Sequence, residues 1–154
     1  MRVNTDTVLQ ARALVGGLTP LKSDCGALCG AACWQADEDG QGGMYLFPGE
    51  EALLHGEDSD FAPIYTCDGT CARENRPLAC RIFPLTPVKT EKGWGVKIDR
   101  RARAMCPLAR FGTRGLDPEF VRAVRRAVRL IAADAEGEAF LEKWAALEGQ
   151  YRVF

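Results

Sequence analysis

The sequence predicts a small single α+β domain over residues 1–154, with helices at both ends and a β-hairpin and irregular cysteine-rich metal-binding loops between them. Three observations support this class. The 154 residues are enough for one domain with a hydrophobic core and too few for two ordinary domains. Apolar residues recur at helical spacing near both ends, whereas they alternate strictly along residues 94–98.

The first helix is predicted over residues 4–16, because apolar residues there recur at helical spacing. Asn4 or Thr5 can cap its start, and Gly16-Gly17 ends it. Its apolar positions are Val8, Leu9, Ala11, Ala13, Leu14 and Val15.

Short elements separated by loops are predicted for the middle of the chain. Residues 44–47 and 61–65 have the composition of short strands. The stretch 48–55 predicts a brief helix, since a proline stands at its start and two acidic residues stand in its first turn. For residues 67–80 we predict a cysteine-bearing loop with little regular structure.

The next stretch predicts a β-hairpin that turns at Glu91-Lys92-Gly93. Apolar residues alternate after this turn, over residues 94–98. Pro84 and Pro87 place the first strand at a sheet edge or interrupt it, because proline cannot donate to a ladder. Residues 100–111 predict a short helix or a loop.

Two further helices are predicted over residues 117–148. Asp117 caps the first, and Pro118 takes its first helical position. The second covers residues 136–148 and carries large apolar residues on one side. The apolar stripe of the first helix consists of Phe120, Val121, Val124, Val128 and Ile131. Its remaining surface carries Arg122, Arg125, Arg126 and Arg129.

Composition and charge exclude several classes of protein. The net charge of -1 argues against a polyanion-binding protein, so nucleic acid is disfavoured as a partner. No apolar run approaches the roughly 20 residues that cross a bilayer, and residues 1–6 lack the apolar core of a signal peptide. The sequence therefore predicts a cytoplasmic protein without membrane contact. In that compartment thiols stay reduced, so seven cysteines indicate metal or redox chemistry.

The seven cysteines are the candidate metal ligands. Thiolates are soft ligands that select zinc, copper(I) and iron–sulfur clusters. Two groups have three residues between successive thiols, and two cysteines stand alone. Seven thiols are more than one four-ligand site needs and one fewer than two such sites need. Either a second site uses a ligand other than cysteine, or some thiols are structural, or one thiol is reactive. The candidates are Cys25, Cys29, Cys33, Cys67, Cys71, Cys80 and Cys106.

The cysteines and the single histidine also allow other roles. A cysteine also serves as a small buried hydrophobe. A disulfide framework is disfavoured by the odd count and the reducing compartment. The spacing of Cys25, Cys29 and Cys33 is one residue longer than that of radical S-adenosylmethionine enzymes, and the chain is too short for their barrel. His55 is the only histidine, so it is at most a fourth ligand beside three thiolates, or an exposed residue.

Two motifs resemble a known family. Cys25-x-x-x-Cys29-Gly30-Ala31-x-Cys33 and the later Arg76-Pro77-Leu78-Ala79-Cys80-Arg81-Ile82-Phe83-Pro84 are similar to the YkgJ-type cysteine-cluster family. These are small bacterial and archaeal proteins described as zinc- or iron-chelating. The resemblance covers residues 22–108. A flagellin lysine methylase that shares this signature is linked to an iron–sulfur cluster, which raises iron–sulfur relative to zinc.

The resemblance implies a ligand set with one departure. Cys25, Cys29 and Cys33 match the first cluster, and Cys67 or Cys71 the central one. The cysteines at 80 and 106 match the Arg-Pro cysteine and the late cysteine. The family's adjacent Cys-Cys pair is Ala32-Cys33 in this chain, so one family ligand is missing.

Three functional hypotheses follow. The first is a metal-binding protein that holds zinc or an iron–sulfur cluster. The second is an iron–sulfur-dependent methyl-transfer or redox enzyme, and the third is an interaction module with structural zinc that presents its arginine helix to a protein partner or a second copy. Arg76 and Arg81, on either side of Cys80, are expected to offset thiolate charge, to bind an anionic substrate, or to pair with acidic loops on the surface.

Overall fold

The computed structural model describes residues 5–16, 18, 44–47, 50, 64–65, 77–99, 102 and 112–148. This part of the chain contains helices and two-stranded antiparallel sheets, which confirms the predicted α+β class. The elements are α1 (Thr5–Val15), β1 (Met44–Tyr45), β2 (Ile64–Tyr65), α2 (Leu78–Ile82), β3 (Leu85–Thr90), β4 (Gly93–Ile98), α3 (Pro118–Ala132) and α4 (Ala135–Glu148).

Helix α1 ends where the sequence predicts. Gly16 has a φ of 49°, a left-handed conformation that glycine adopts without strain, and its N–H donates to the Arg12 carbonyl at 2.8 Å. Val8 and Val15 are buried on the inner face, whereas Leu9 and Leu14 are each 40% exposed. The predicted apolar positions of α1 therefore include residues, Leu9 and Leu14, that lie outside its buried face.

Strands β1 and β2 pair with each other, with Met44 opposite Tyr65 and Tyr45 opposite Ile64. The predicted strand over 44–47 is shorter than expected, because pairing stops at Tyr45 and the next two residues enter the core. The predicted helix over 48–55 lies outside the described residues, apart from Glu50.

Helix α2 stands where the sequence predicted irregular structure and the start of a strand. Pro77 precedes it with a φ of -59°, close to the helical value. The Arg81 N–H donates to the Pro77 carbonyl at 3.0 Å, and the Phe83 N–H donates to the Ala79 carbonyl at 3.2 Å. All five residues of α2 are buried. Leu78, Ala79 and Arg81 favour a helix, but five residues are too few to form one alone, so tertiary contacts stabilise it.

The β3–β4 hairpin confirms the prediction but begins at Leu85, which pairs with Ile98. Thr90 pairs with Gly93 across the two-residue turn, and its hydroxyl donates to the Gly93 carbonyl at 2.9 Å. Gly93 has a φ of 104°, which a residue with a side chain rarely adopts. Pro87 lies within β3, where a two-stranded sheet leaves an open edge.

Helices α3 and α4 follow the predicted signals closely. The Asp117 carboxylate accepts the Glu119 N–H at 3.0 Å, and Pro118 is the first residue of α3. The Asp134 carboxylate accepts the Glu136 N–H at 3.0 Å and caps α4 in the same way. The predicted stripe of α3 is buried throughout: Phe120, Val121, Val124, Val128 and Ile131.

The core lies around α3, which packs against α1, the β3–β4 hairpin and α4. Three aromatic rings join α4 to the segment after β1: Phe47 lies 5.1 Å from Phe140 and 5.0 Å from Trp144, between ring centroids. The Trp144 indole N–H donates to the Thr86 hydroxyl at 3.2 Å. Trp94 and Trp144 are core residues, and Trp34 lies outside the described residues.

Of the helices in the described part of the chain, none combines the length and apolar character that a bilayer crossing requires.

Candidate functional site

Cys80 is the predicted ligand that the structure places. It lies in the middle of α2, is 7% exposed, and belongs to the hydrophobic core cluster. The six other predicted ligands lie outside the described residues, as does His55: Cys25, Cys29, Cys33, Cys67, Cys71 and Cys106. Within the described ranges, no three His, Cys, Asp or Glu residues form a group suited to a metal ion. The assembly of the thiols into a site remains a prediction.

Glu50 anchors the start of the helix that carries Cys80. Its Oε2 atom accepts the Leu78 N–H at 2.8 Å, which satisfies a backbone donor that has no partner within α2. Its Oε1 atom accepts the Phe47 N–H at 2.9 Å. Arg12 of α1 donates from Nη1 to Oε2 and forms an ion pair. One carboxylate thus joins α1, the segment after β1 and α2.

This network is withdrawn from water. Glu50 is 0% exposed and Arg12 is 8% exposed. Burial raises the pKa of Glu50 above its ordinary value of 4.5, while the hydrogen bonds from Phe47 and Leu78 and the charge of Arg12 act in the opposite direction. The donors therefore offset part of the desolvation of the carboxylate. Removing any one of these three donors leaves the buried charge of the Glu50 carboxylate less well compensated.

Arg81, next to Cys80, is also buried, with 8% exposure. Its side chain is therefore inside the protein and not on the surface, whereas its predicted roles toward thiolate, substrate or acidic loops stay predictions. A buried guanidinium needs compensating partners. Arg76, on the other side of Cys80, lies outside the described residues.

Sequence reasoning missed the role of Glu50 and Arg12. Glu50 was expected to stand in the first turn of a short helix, where an exposed acid is common. A signal was nevertheless present in α1. Arg12 follows Val8 by four residues and precedes Val15 by three, so it lies on the apolar face of a helix. A charge on that face requires a buried partner.

No protein-family model matches this chain. Neither a curated protein nor a solved structure matches it.

Proposed function

We propose that this chain is a metal-binding protein whose cysteine thiolates hold zinc or an iron–sulfur cluster. The number of cysteines and the spacing of Cys25, Cys29 and Cys33 support the proposal, since thiolates at short intervals suit soft metals. The resemblance of residues 22–108 to the YkgJ-type family supports it further. The proposal assigns the protein to the cytoplasm, where the thiols stay reduced.

The structural observation that supports the proposal best is the anchoring of Cys80. A ligand on an element whose position is already fixed loses little conformational entropy when it binds. Helix α2 is such an element, because Glu50 connects its first residue to α1 and to Phe47. In this proposal Cys80 supplies one thiolate, and the remaining ligands come from the other six cysteines.

The bound group would supply one of two kinds of chemistry. Zinc with four sulfur ligands ties loops together and stabilises the fold, whereas an open coordination position or a reducible cluster supports catalysis. This chain's own contribution is the same in either case. It holds Cys80 in apolar surroundings, which limits access of water to that ligand.

The deciding experiment is anaerobic purification followed by metal analysis and an ultraviolet–visible spectrum. We expect zinc or iron in a fixed ratio to protein, with charge-transfer absorption if iron–sulfur is present. A colourless, metal-free and fully folded protein with seven reactive thiols would contradict the proposal.

Substitutions in α2 separate a ligand from a core residue. If Cys80 is a ligand, Cys80→Ser and Cys80→Ala both lower the metal content per chain. If Cys80 only fills the core, Cys80→Ala leaves the metal content unchanged. Ala79→Ser is the matched control, because it introduces a hydroxyl into the same buried helix and keeps the thiol.

Cys106→Ser is the corresponding test for a thiol that is not a ligand. If Cys106 is not a ligand, this substitution leaves both the metal content and the structure intact.

A further inference from the structure

Helix α3 carries four arginines on the surface that faces away from its buried stripe. We call Arg122, Arg125, Arg126 and Arg129 the arginine face. Three of them are exposed and Arg125 is half-buried. They span two turns of the helix, a length of about 10 Å at 1.5 Å per residue.

The arginine face lacks the carboxylates that neutralise other cations of this protein. In the described part of the chain, Arg12 pairs with Glu50, and Lys89 pairs with two glutamates of α4. Arg122, Arg125 and Arg126 have no such ion pair, and no hydrogen bond joins their side chains to another described residue. Arg129 donates from Nε to the Trp94 carbonyl at 3.1 Å, which leaves its charge uncompensated.

This arrangement works against the stability of the helix. Residues three or four apart on a helix are neighbours, and like charges at these spacings repel each other. Arg122 and Arg126 are four residues apart, as are Arg125 and Arg129. Glu119 stands three residues before Arg122, and Arg129 lies in the last turn, where a cation is favourable, but Arg125 and Arg126 have neither form of compensation among the described residues. A feature that opposes folding without a packing gain indicates a role in binding.

The surrounding sequence has the same sign of charge. Residues 100–133 contain nine arginines, no lysine and only two acids, Asp117 and Glu119, in a chain whose total charge is -1. The total charge describes the chain as a whole and not this stretch, so it does not exclude a polyanion here. Such charge asymmetry favours a polyanionic partner.

The chemistry of the arginine face favours phosphate over an acidic protein. Guanidinium groups bind phosphate and carboxylate oxygens through paired N–H donors. The centres of protein interfaces also use apolar and aromatic side chains. Among the described residues the exposed large hydrophobics are Leu9 and Leu14, which lie on α1 and not on α3. Binding to a nucleic-acid backbone depends on charge and needs no apolar centre.

We propose that the arginine face binds the phosphate backbone of nucleic acid without reading its sequence. Its length of about 10 Å equals the axial rise of about three phosphates on one strand of B-DNA. Arg129 is fixed by its bond to Trp94, and the other three side chains adjust to the strand.

The test is fluorescence anisotropy of the full-length chain with a labelled duplex of about 20 base pairs and arbitrary sequence. With four arginines in contact, the logarithm of the affinity should fall with the logarithm of salt concentration with a slope of about -3 to -4. This slope corresponds to a loss of affinity of about 100-fold between roughly 50 and 200 mM salt. A second duplex of unrelated sequence should bind equally well.

Matched variants locate the contact. Arg122→Gln/Arg126→Gln should lower the affinity at low salt by about tenfold or more and reduce the slope by about 2. Arg122→Lys/Arg126→Lys keeps the charge and should keep most of the affinity. Lys92→Gln/Lys143→Gln removes the same charge from exposed positions outside α3 and should leave the affinity nearly unchanged. The glutamine variant of α3 should melt no earlier than wild type, because it relieves repulsion.

Three results would overturn the proposal. The first is an absence of duplex binding at low salt. The second is duplex binding that the arginine variant and the lysine control weaken equally, which would indicate unspecific attraction. The third is binding to polyglutamate without binding to the duplex, which would assign the arginine face to an acidic protein partner instead.

Discussion

The Glu50 carboxylate accepts the backbone N–H of Leu78 at 2.8 Å, although 28 residues separate the two in sequence. Leu78 stands two residues before Cys80, so the position of the candidate ligand depends on a side chain from a distant segment. Glu50 depends in turn on Arg12 of α1. A substitution in the first helix is therefore expected to affect the element that carries the thiol.

We expect Glu50→Gln to destabilise the protein by roughly 3–5 kcal/mol, because it removes the charged partner that the buried Arg12 guanidinium contacts. The free energy of unfolding from urea denaturation measures this. Arg12→Met should be damaging for the same reason. The double variant should lose less than the two single losses added together, because the ion pair between the two side chains is lost only once. Strictly additive losses would contradict the coupling.

Substituting the two core tryptophans should have unequal effects. Trp144→Phe removes the indole that donates to Thr86, whose hydroxyl is buried, so it leaves a buried polar group without that bond. The Trp94 indole nitrogen is buried and has no hydrogen-bond partner among the described residues, so Trp94→Phe removes an unsatisfied donor. We expect Trp144→Phe to cost about 1–3 kcal/mol more in the free energy of unfolding. Equal losses would count against this assignment.

Gly137→Ala should destabilise the junction of α3 and α4. A Cβ atom at this position would lie 2.0 Å from the Ile131 carbonyl oxygen, so the backbone must move. Overpacking of this kind typically costs about 1–3 kcal/mol. Gly95→Ala is the matched control, because a Cβ there meets no heavy atom within 4 Å. Thermal melts should show a lower midpoint for Gly137→Ala and an unchanged or slightly higher one for Gly95→Ala.

Lys89 should make stability fall at high pH. Hydrogen bonds with Glu142 at 2.9 Å and Glu138 at 3.4 Å raise the pKa of Lys89 above its ordinary value of 10.5. Since the folded-state pKa exceeds the unfolded one, the contribution is complete below 10.5 and is lost as pH rises through the folded-state pKa.

The melting midpoint measured from neutral pH to beyond the folded-state pKa checks this prediction. Lys89→Met should have a lower midpoint at neutral pH and approach wild type at high pH. Lys143→Met is the control, because it removes an exposed lysine from α4, the helix that carries Glu138 and Glu142. Its melting midpoint should depend on pH in the same way as that of wild type. Parallel curves for wild type and Lys89→Met would contradict the assignment.

The elements that could be predicted from sequence are those with local determinants. Asp117 and Pro118 define the start of α3 within a few residues, and Gly93 stands in the turn that it permits. Helix α2 could not be predicted in this way, because its first N–H is satisfied by a carboxylate 28 residues earlier. Cysteine spacing identifies candidate ligands but contains no information on burial, so the position of Cys80 in the core became visible only in the structure.

The ion pair between Arg12 and Glu50 sets a lower limit on how far the protein can be shortened. Trimming α1 away would remove the cation and leave Glu50 enclosed with only two backbone donors. A fragment that starts after α1 is therefore a poor choice for isolating the cysteine-bearing segment. A unit suited to independent expression therefore includes α1, and it also includes α4, whose aromatic residues pack on Phe47.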